Sequence, residues 1–387
     1  MLTSSGDSAR IPFTQFSHHF SAEVRPAYVF PTSPFYKSEI AKDALTNQAI
    51  SGHLRYSFAL PKGSLGNQIF SNTQQGIGLS FFSFGNDREL GTPIASYLFQ
   101  NAEIVRFCQL SSLHYEWNFG LSSGWRPYDP MNNPMNMVIG SKVNAYINLG
   151  LFFKWRLNQQ WNLMTGADFT HFSNGNTEYP NAGINMVGAK LGITYNLKAR
   201  EAEEEQRLEK ALVPAFPKHV SYDLVLFGSW RRKGVEFGNT QVASPDKYPV
   251  VGAYFAPMYN LGYRLRTGVS LDMLYDGSGN VFTEDYIVGT AQPFYKPYWQ
   301  EQLALGLSGR ADFTMPIFTI SVGVGTHILH RGGDFSGTYQ SLALKTKISR
   351  STFLHIGYSV KDFRDPNYLM LGIGYRFHNK TPLLVHF

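Results

Sequence analysis

The segment VNAYINLGLFFKW, residues 143–155, alternates between two kinds of side chain. Its odd positions are apolar throughout, whereas its even positions hold asparagine, glycine and lysine beside two aromatic residues. A repeat of two residues places one set on each face of a β-strand. We therefore predict a strand with one apolar face and one mostly small or polar face.

Two neighbouring segments, residues 161–173 and 183–197, continue this pattern at similar length. Strands of about 10–16 residues are long enough to cross a bilayer at a tilt and are longer than most strands of soluble sandwiches. Short turns such as residues 157–160 also alternate with long loops such as residues 127–136. Short turns on one side and long loops on the other are typical of outer-membrane barrels.

The pattern predicts an all-β fold, a transmembrane antiparallel up-and-down β-barrel of about sixteen strands, with fourteen possible. We expect one closed barrel in which residues 18–30 pair with residues 369–377; two separate eight-strand barrels are the alternative. The charged segment at residues 200–211 predicts a short periplasmic helix or a linker. The expected divisions are an N-terminal periplasmic segment, a first barrel half with the candidate site, the helix or linker, a second barrel half and a C-terminal tail, at residues 1–17, 18–197, 198–217, 218–377 and 378–387.

Composition agrees with a membrane barrel. Charged residues make up 16% of the 387 residues, glycine occurs 36 times and phenylalanine 30 times. No run of about 18 apolar residues occurs, which excludes a transmembrane helix. The net charge of +6 is scattered along the chain, so it fits anionic lipid headgroups better than a nucleic-acid site.

Cysteine content and the N-terminus bear on export. Cys108 is the single cysteine, so no disulfide can form within the chain. Residues 1–20 lack the apolar core of a signal peptide. Because a barrel of this kind has to be exported, we expect the leader to have been removed or to be missing from this numbering.

Candidate catalytic residues lie in the segment THFSNG, residues 170–175, at the end of a predicted strand. His171 and Ser173 are two residues apart, so both side chains point to the apolar, lipid-facing side. Polar groups are costly in hydrocarbon, which places them near the membrane surface. The preceding turn is short and therefore periplasmic, so the following loop is external. The estimated hairpin register puts Asn185 opposite His171 on the same face.

These residue types suit nucleophilic acyl transfer. His171 would remove the proton from Ser173, and Asn185 would hold the imidazole by accepting its other N–H. Asn174 and the backbone N–H of Gly175 would bind the oxyanion. The alternative is that these polar residues only mark the membrane surface, where histidine, serine and asparagine are common. Spacing alone leaves both interpretations open.

The segment from His171 to Gly175, followed by Pro180-Asn181 and Gly183, resembles the lipid A 3-O-deacylase (PagL-like) family, and in particular its longer Bacteroidetes-type members, often called acyloxyacyl hydrolases. The similarity extends over residues 76–197 and includes Asn133-Pro134, Asn136 and residues 139–144. The resemblance implies an esterase of the bacterial outer membrane that acts on lipid A or lipopolysaccharide. It implies His171 as base, Ser173 as nucleophile and Asn174 near the oxyanion, with no cofactor or metal.

Two departures from the family pattern favour other functions. Asn185 stands where the shorter members carry a glutamate, and an amide cannot stabilise imidazolium by charge; Glu178 and Asp168 are possible substitutes, although Asp168 should face the lumen. The eight additional strands are the second departure. A catalytically inert barrel that serves other outer-membrane proteins, or a pore, therefore remains an alternative. We interpret a second cluster, His327, His330 and Asp334, as loop and lumen residues.

Overall fold

The computed structural model describes residues 16–31, 47–61, 64–197, 213–237, 240–284 and 293–382. These residues form strands and their connecting loops, apart from two short helical segments, the α-helix α1 (Leu65–Ile69) and a 3-10 turn (Trp299–Gln302). Neither is long or apolar enough to cross a membrane. Residues 200–211, for which the sequence predicts a helix or linker, lie outside the described residues.

The first eight strands form one closed antiparallel barrel, in which each strand pairs with the next and the eighth pairs with the first. Asn196 at the end of the eighth strand lies beside His19 at the start of the first. The strands are β1 (Ser17–Val29), β2 (Gln48–Ala59), β3 (Thr73–Ser83), β4 (Gly91–Arg106), β5 (Ser111–Trp125), β6 (Val143–Arg156), β7 (Trp161–Ser173) and β8 (Ile184–Asn196).

The rest of the chain forms a second closed barrel of eight strands, in which the last strand returns to pair with the first. Its strands are β9 (His219–Arg231), β12 (Tyr248–Asn260), β13 (Leu265–Asp276), β16 (Leu303–Thr314), β17 (Phe318–His330), β18 (Thr338–Lys347), β19 (Thr352–Lys361) and β20 (Asp365–Phe377). Two small hairpins lie in its external loops: β10 (Gly234–Phe237) with β11 (Thr240–Ala243), and β14 (Phe282–Thr283) with β15 (Phe294–Tyr295).

The predicted all-β barrel and its sixteen membrane strands are confirmed, but the expectation of a single closure is wrong. Residues 18–30 pair with β8 and not with residues 369–377, so each half of the chain is a complete barrel. The reason lies in the inward-facing side chains. An eight-strand barrel has an interior just wide enough to be filled by side chains, and the inward positions here carry bulky groups that fill it.

The lumen of the first barrel is filled by an ion-pair network. Arg25 contacts Glu116 at 3.0 Å and Asp168 at 3.2 Å, and Arg55 and Lys190 contact Glu116 at 2.7 and 2.8 Å. Each of these side chains is almost fully buried. Such charges are tolerated away from water because each is paired. Towards the external end the lumen is closed by a buried aromatic cluster of Phe82, Phe84, Trp125, Tyr146 and Phe172.

The second lumen is filled in the same way. Arg266 contacts Asp223 and Asp312, each at 2.9 Å, and Lys345 contacts Asp312 at 3.0 Å. Arg376 adds a contact of 2.8 Å to Asp223. The two barrels therefore share one construction, with buried ion pairs at the centre and apolar residues outside.

The outward faces agree with the sequence prediction. The odd positions of β6, β7 and β8 point away from the lumen, and residues such as Leu149, Leu151 and Leu191 are more than half exposed. An apolar outer surface of this kind is what a lipid bilayer covers. The odd residues therefore do not pack inside a two-sheet sandwich.

The barrels lie side by side with their external loops on the same side. On the outer face of β5, Trp117 is only 5% exposed because it packs edge-on against Phe318 of β17, with ring centroids 5.5 Å apart. Leu344 belongs to the same buried cluster. At the periplasmic ends, Arg264 Nε donates to the carbonyl of Ile69 at 2.9 Å. An outward tryptophan hidden from lipid therefore marks the contact between the barrels.

Candidate active site at the external end of the first barrel

The β7–β8 hairpin carries the predicted site residues. In its register His171 lies directly opposite Asn185, as the sequence predicts, and the last ladder pair is Phe172 with Ile184. Phe172 and Ile184 point inwards and are fully buried, so their neighbours His171 and Asn185 lie on the outer face. The external loop that follows, residues 174–183, is called the site loop below. The alternation of β7 thus delivers one polar pair to the lipid-facing surface.

His171 is held by Asn185 through one hydrogen bond. His171 Nδ1 lies 2.7 Å from Asn185 Oδ1. Because an amide oxygen only accepts, Nδ1 carries the proton, and Nε2 of a neutral imidazole is then left as an acceptor. This is the tautomer that a general base requires. Asn185 therefore lies where an orienting third residue is expected.

Ser173 is bound to the site loop and not to His171. Its Oγ donates to Asn181 Oδ1 at 3.2 Å and accepts from Asn181 Nδ2 at 3.0 Å and from the Gly175 N–H at 3.1 Å. The hydroxyl is therefore largely buried, with 9% of the residue exposed. In this structure the serine and the histidine share a face of β7 without a hydrogen bond between them among the described contacts.

Asn174 and Gly175, the predicted oxyanion residues, make hydrogen bonds within the loop. The Asn174 N–H donates to Asn181 Oδ1 at 3.1 Å, and its side-chain amide donates to the Glu178 carbonyl at 3.1 Å. Asn181 thus binds both Ser173 and Asn174, a role that the sequence pattern does not predict. The signal was its place in the Pro180-Asn181 pair, but strand parity does not give the direction of a loop side chain.

Asp168 and Glu178, the two possible substitutes for the family glutamate, form ion pairs elsewhere. Asp168 faces the lumen, as predicted, and its carboxylate contacts Arg25. Glu178, the other possible substitute for the family glutamate, pairs through its carboxylate with Lys247 and with Arg232, the latter at 3.6 Å. Its charge is therefore engaged by the second barrel.

Close backbone packing positions the imidazole. Gly183 has φ +70°, and a Cβ there would lie 2.9 Å from the Phe172 carbonyl oxygen and 3.2 Å from His171 Cε1. Only glycine combines this conformation with the space that His171 occupies. The Gly183 N–H in turn donates to the carbonyl of Val138 at 3.2 Å. The His171 ring therefore packs directly against Gly183.

The preceding external loop is fixed by Asn136, which is fully buried. Its Oδ1 accepts from the N–H groups of Val138 and Ile139 at 3.2 and 3.1 Å, and its amide donates to the Arg126 carbonyl at 2.8 Å. Asn136 therefore supports Gly183, and through it His171.

Within the site loop, burial raises the pKa of the Tyr179 phenol above its usual range, with Tyr128 adding to the effect.

The site loop is docked on the second barrel. Asn176 accepts from the Arg232 N–H at 2.9 Å, and its side-chain amide donates to the carbonyls of Pro366 and Asn367 at 2.7 and 3.2 Å. Gly175 packs so closely on Leu369 that a Cβ would lie 2.6 Å from Leu369 Cδ2. The β9–β20 ladder runs from Gly228–Leu371 towards the periplasm, so Asn176 joins the two strands beyond that point.

Two other serine–histidine pairs have the same spacing. Ser51 with His53 and Ser112 with His114 each place Oγ 2.9 Å from Nε2. All four residues are buried inside the first barrel. In the second barrel, His327 lies under Phe335 and Tyr339, and Asp334 pairs with Lys233. The pair at His171 and Ser173 differs from these lumen pairs by facing the membrane.

Family matches fit this arrangement. Residues 50–194 match the family described as lipid A 3-O-deacylase (PagL), and residues 220–379 match the family described as acyloxyacyl hydrolase, C-terminal domain. Together the two matches cover most of the chain. The protein belongs to the PagL family.

The two PagL-family matches coincide with the two barrels. The first spans β2 to β8 and contains the whole candidate site, and the second spans the second barrel from β9 to β20. As a PagL-family β-barrel, the protein is located in the bacterial outer membrane. The lipid-facing outer surfaces of both barrels agree with this location.

Comparison with solved structures gives weak similarities. Neisserial surface protein A is 5% identical, with 47% of this chain and 98% of that chain covered and a TM-score of 0.33. The N-terminal β-barrel domain of Pseudomonas aeruginosa OprF is 9% identical, with 47% and 100% covered and a TM-score of 0.28. A mutant of Rh. blastica porin is 9% identical, with 94% and 100% covered and a TM-score of 0.17. No curated protein matches significantly. The PagL assignment therefore rests on the family matches.

Proposed function

We propose that this PagL-family protein hydrolyses an ester-linked acyl chain of lipid A, with Ser173 as nucleophile and His171 as general base. The observation that carries the proposal is the 2.7 Å bond from His171 Nδ1 to Asn185 on the membrane-facing surface. It leaves Nε2 as an acceptor on the face that also carries Ser173. The residues lie within the segment matched by the lipid A 3-O-deacylase family.

The proposal requires Ser173 to turn from Asn181 towards His171. A rotation about χ1 moves Oγ between staggered positions, which is a low-energy change. In two lumen pairs of this barrel, where the serine precedes the histidine, the same two-residue spacing gives an Oγ–Nε2 distance of 2.9 Å. Catalytic hydrogen bonds are often absent before substrate binds.

The reaction proceeds in two steps. His171 Nε2 takes the Ser173 proton while Oγ attacks the ester carbonyl, and collapse of the tetrahedral intermediate breaks the ester bond. The lipid hydroxyl leaves with the proton from His171, and the acyl group stays on Ser173. Water, deprotonated by His171, then attacks this acyl ester and releases the fatty acid, which restores the Ser173 hydroxyl.

Two donors that now hold the serine are suited to bind the oxyanion. The Gly175 N–H and the Asn181 amide lie 3.1 and 3.0 Å from Oγ. When Oγ turns to His171, both donors are left facing the reacting centre. Prealigned donors of this kind stabilise charge that develops in the transition state. Asn181 is therefore the residue that we add to the site.

The pore alternative finds no support in the lumens. Buried ion pairs occupy the centre of each barrel, and aromatic side chains close the first barrel towards its external end. An inert structural barrel would have no need for an oriented imidazole on its outer face. The hydrolase interpretation accounts for the oriented imidazole and does not require an open lumen.

Ser173→Ala tests the proposal directly. We expect cells with this variant to lose lipid A deacylation, measured by mass spectrometry of extracted lipid A, while the protein still reaches the membrane and folds as a barrel. Ser112→Ala is the matched control, because it removes a serine of the same spacing inside the lumen. This control should keep the wild-type level of deacylated lipid A. Wild-type deacylation in the Ser173→Ala variant would contradict the proposal.

A further inference from the structure

An apolar cleft of about 1460 Å³ follows the outer face of the first barrel past the candidate site, and the second barrel lines part of it. Beside the site it is bounded by Asn174 and by Ala145, which is the ladder partner of Ser173. Leu121 continues this wall on β5, and Leu369 and Leu371 of β20 belong to the opposite barrel. The cleft therefore lies next to the proposed nucleophile.

Two contacts between the barrels border the part of the cleft beside the site. Externally, the site loop is bound to the second barrel through Asn176 and through the contact of Gly175 with Leu369. Towards the periplasm, the cleft reaches Leu344, which packs with Trp117 and Phe318. A chain entering beside Asn174 would therefore run down into the membrane between two walls. The part of the cleft enclosed by both barrels lies between the docked site loop and this aromatic pair.

We infer that this cleft is the subsite for the acyl chain whose ester is cleaved at Ser173, and that the second barrel supplies one of its walls. The inference rests on the proposed function. An ester carbonyl at Ser173 has its hydrocarbon chain pointing into the membrane, which is the direction of the cleft. The second barrel thereby becomes part of the substrate site.

Selection by this subsite depends on shape. Lipid tails are as apolar as the walls, so moving a chain from the bilayer into the cleft brings no hydrophobic gain. What the cleft can offer is close packing of the chain between two walls. Chains that pack well between these walls should therefore be cleaved in preference to chains that fit poorly.

Photo-crosslinking tests occupancy without requiring turnover. Ser173→Ala protein is placed in vesicles with lipid A that carries a photoreactive group in the acyl chain, and the adducts are mapped by mass spectrometry. We expect adducts concentrated on the cleft wall at Leu371 and Trp230, several-fold above Leu226, which is exposed on β9 outside the cleft. A phospholipid with the same photoreactive chain should label all three alike. Equal enrichment with phospholipid, or labelling that follows exposure alone, overturns the inference.

A substitution in the second barrel tests selection. Leu371→Trp narrows the cleft, and Ile373→Trp is the control because it lies on the same face of β20 outside the cleft. We expect Leu371→Trp to reduce kcat/KM for long-chain relative to short-chain lipid A about tenfold, a typical effect of pocket size, with the control unchanged. An active wild type with no change in Leu371→Trp overturns the subsite alone. An inactive wild type refutes the proposed function, and crosslinking then decides the subsite.

Discussion

At the residue scale, the His171–Asn185 bond is the feature on which the site depends. Asn185→Ala removes the acceptor for Nδ1, so the imidazole loses its orientation and its preferred tautomer. We expect kcat for lipid A deacylation to fall by more than about tenfold, since a correctly placed general base contributes roughly 10²–10⁴ in rate. The rate of fatty-acid release by the purified protein in detergent measures kcat.

The chain provides a matched control for this change. At the periplasmic end, His19 Nδ1 lies 2.7 Å from Asn196 Oδ1, again between cross-strand partners. Asn196→Ala removes the same kind of bond far from the site and should leave kcat unchanged. If Asn185→Ala turns over at the wild-type rate, the orienting role of the amide is wrong.

The sequence predicted the arrangement of His171, Ser173 and Asn185 on one face because strand parity is strict. Counting by twos places His171 and Ser173 on one face, and the hairpin register follows from the same count. Parity does not extend into loops. The contacts of Asn181 with Ser173, and of Glu178 with the second barrel, depend on loop conformation and were therefore not predicted.

At the element scale, the site loop depends on Asn176. Asn176→Gly keeps the backbone relaxed, because the residue has φ +63°. It removes the side-chain donors to Pro366 and Asn367 and the oxygen that accepts from Asn181 Nδ2 at 3.0 Å. We expect faster hydrogen exchange in the site loop and a kcat about tenfold lower, since small displacements of catalytic groups are costly. Hydrogen-exchange mass spectrometry and the deacylation assay measure the two effects.

Asn280→Gly is the corresponding control. Asn280 has φ +56°, and its amide donates to the carbonyls of Glu301 and Arg331 in an external loop of the second barrel. Its Oδ1 also accepts from the Asp334 N–H at 3.3 Å, so the control likewise loses two donor bonds and one acceptor bond, away from the site. Equal kcat in Asn176→Gly and wild type would show that docking of the loop does not position the catalytic residues.

At the scale of the whole molecule, strand number was predictable and closure was not. Alternation and loop length reveal each crossing of the membrane, but both patterns are the same in one large barrel and in two small ones. Closure depends on how the lumen is filled. Here the inward Arg25, Arg55 and Glu116 belong to one packed network, which needs the narrow interior of eight strands.

Trp117→Ala should loosen the contact between the barrels without unfolding either. It removes the ring packed on Phe318, whereas Trp161→Ala, the control, removes an exposed outer tryptophan. Spin labels at the exposed Cys108 and at an introduced Ser349→Cys report the distance between periplasmic turns of the two barrels. We expect a broader distance distribution for Trp117→Ala only. Identical distributions in both variants would show that this contact does not fix the arrangement.

The double closure has a consequence for how the molecule is built. Every strand ladder lies within residues 17–196 or within residues 219–377 of the described chain, and none joins the two ranges. The protein thus contains two closed barrels in one chain, and in each barrel the first strand pairs with the last. The strand pairing of one barrel can be completed before the other barrel has formed. An error of strand register within one barrel need not change the register of the other.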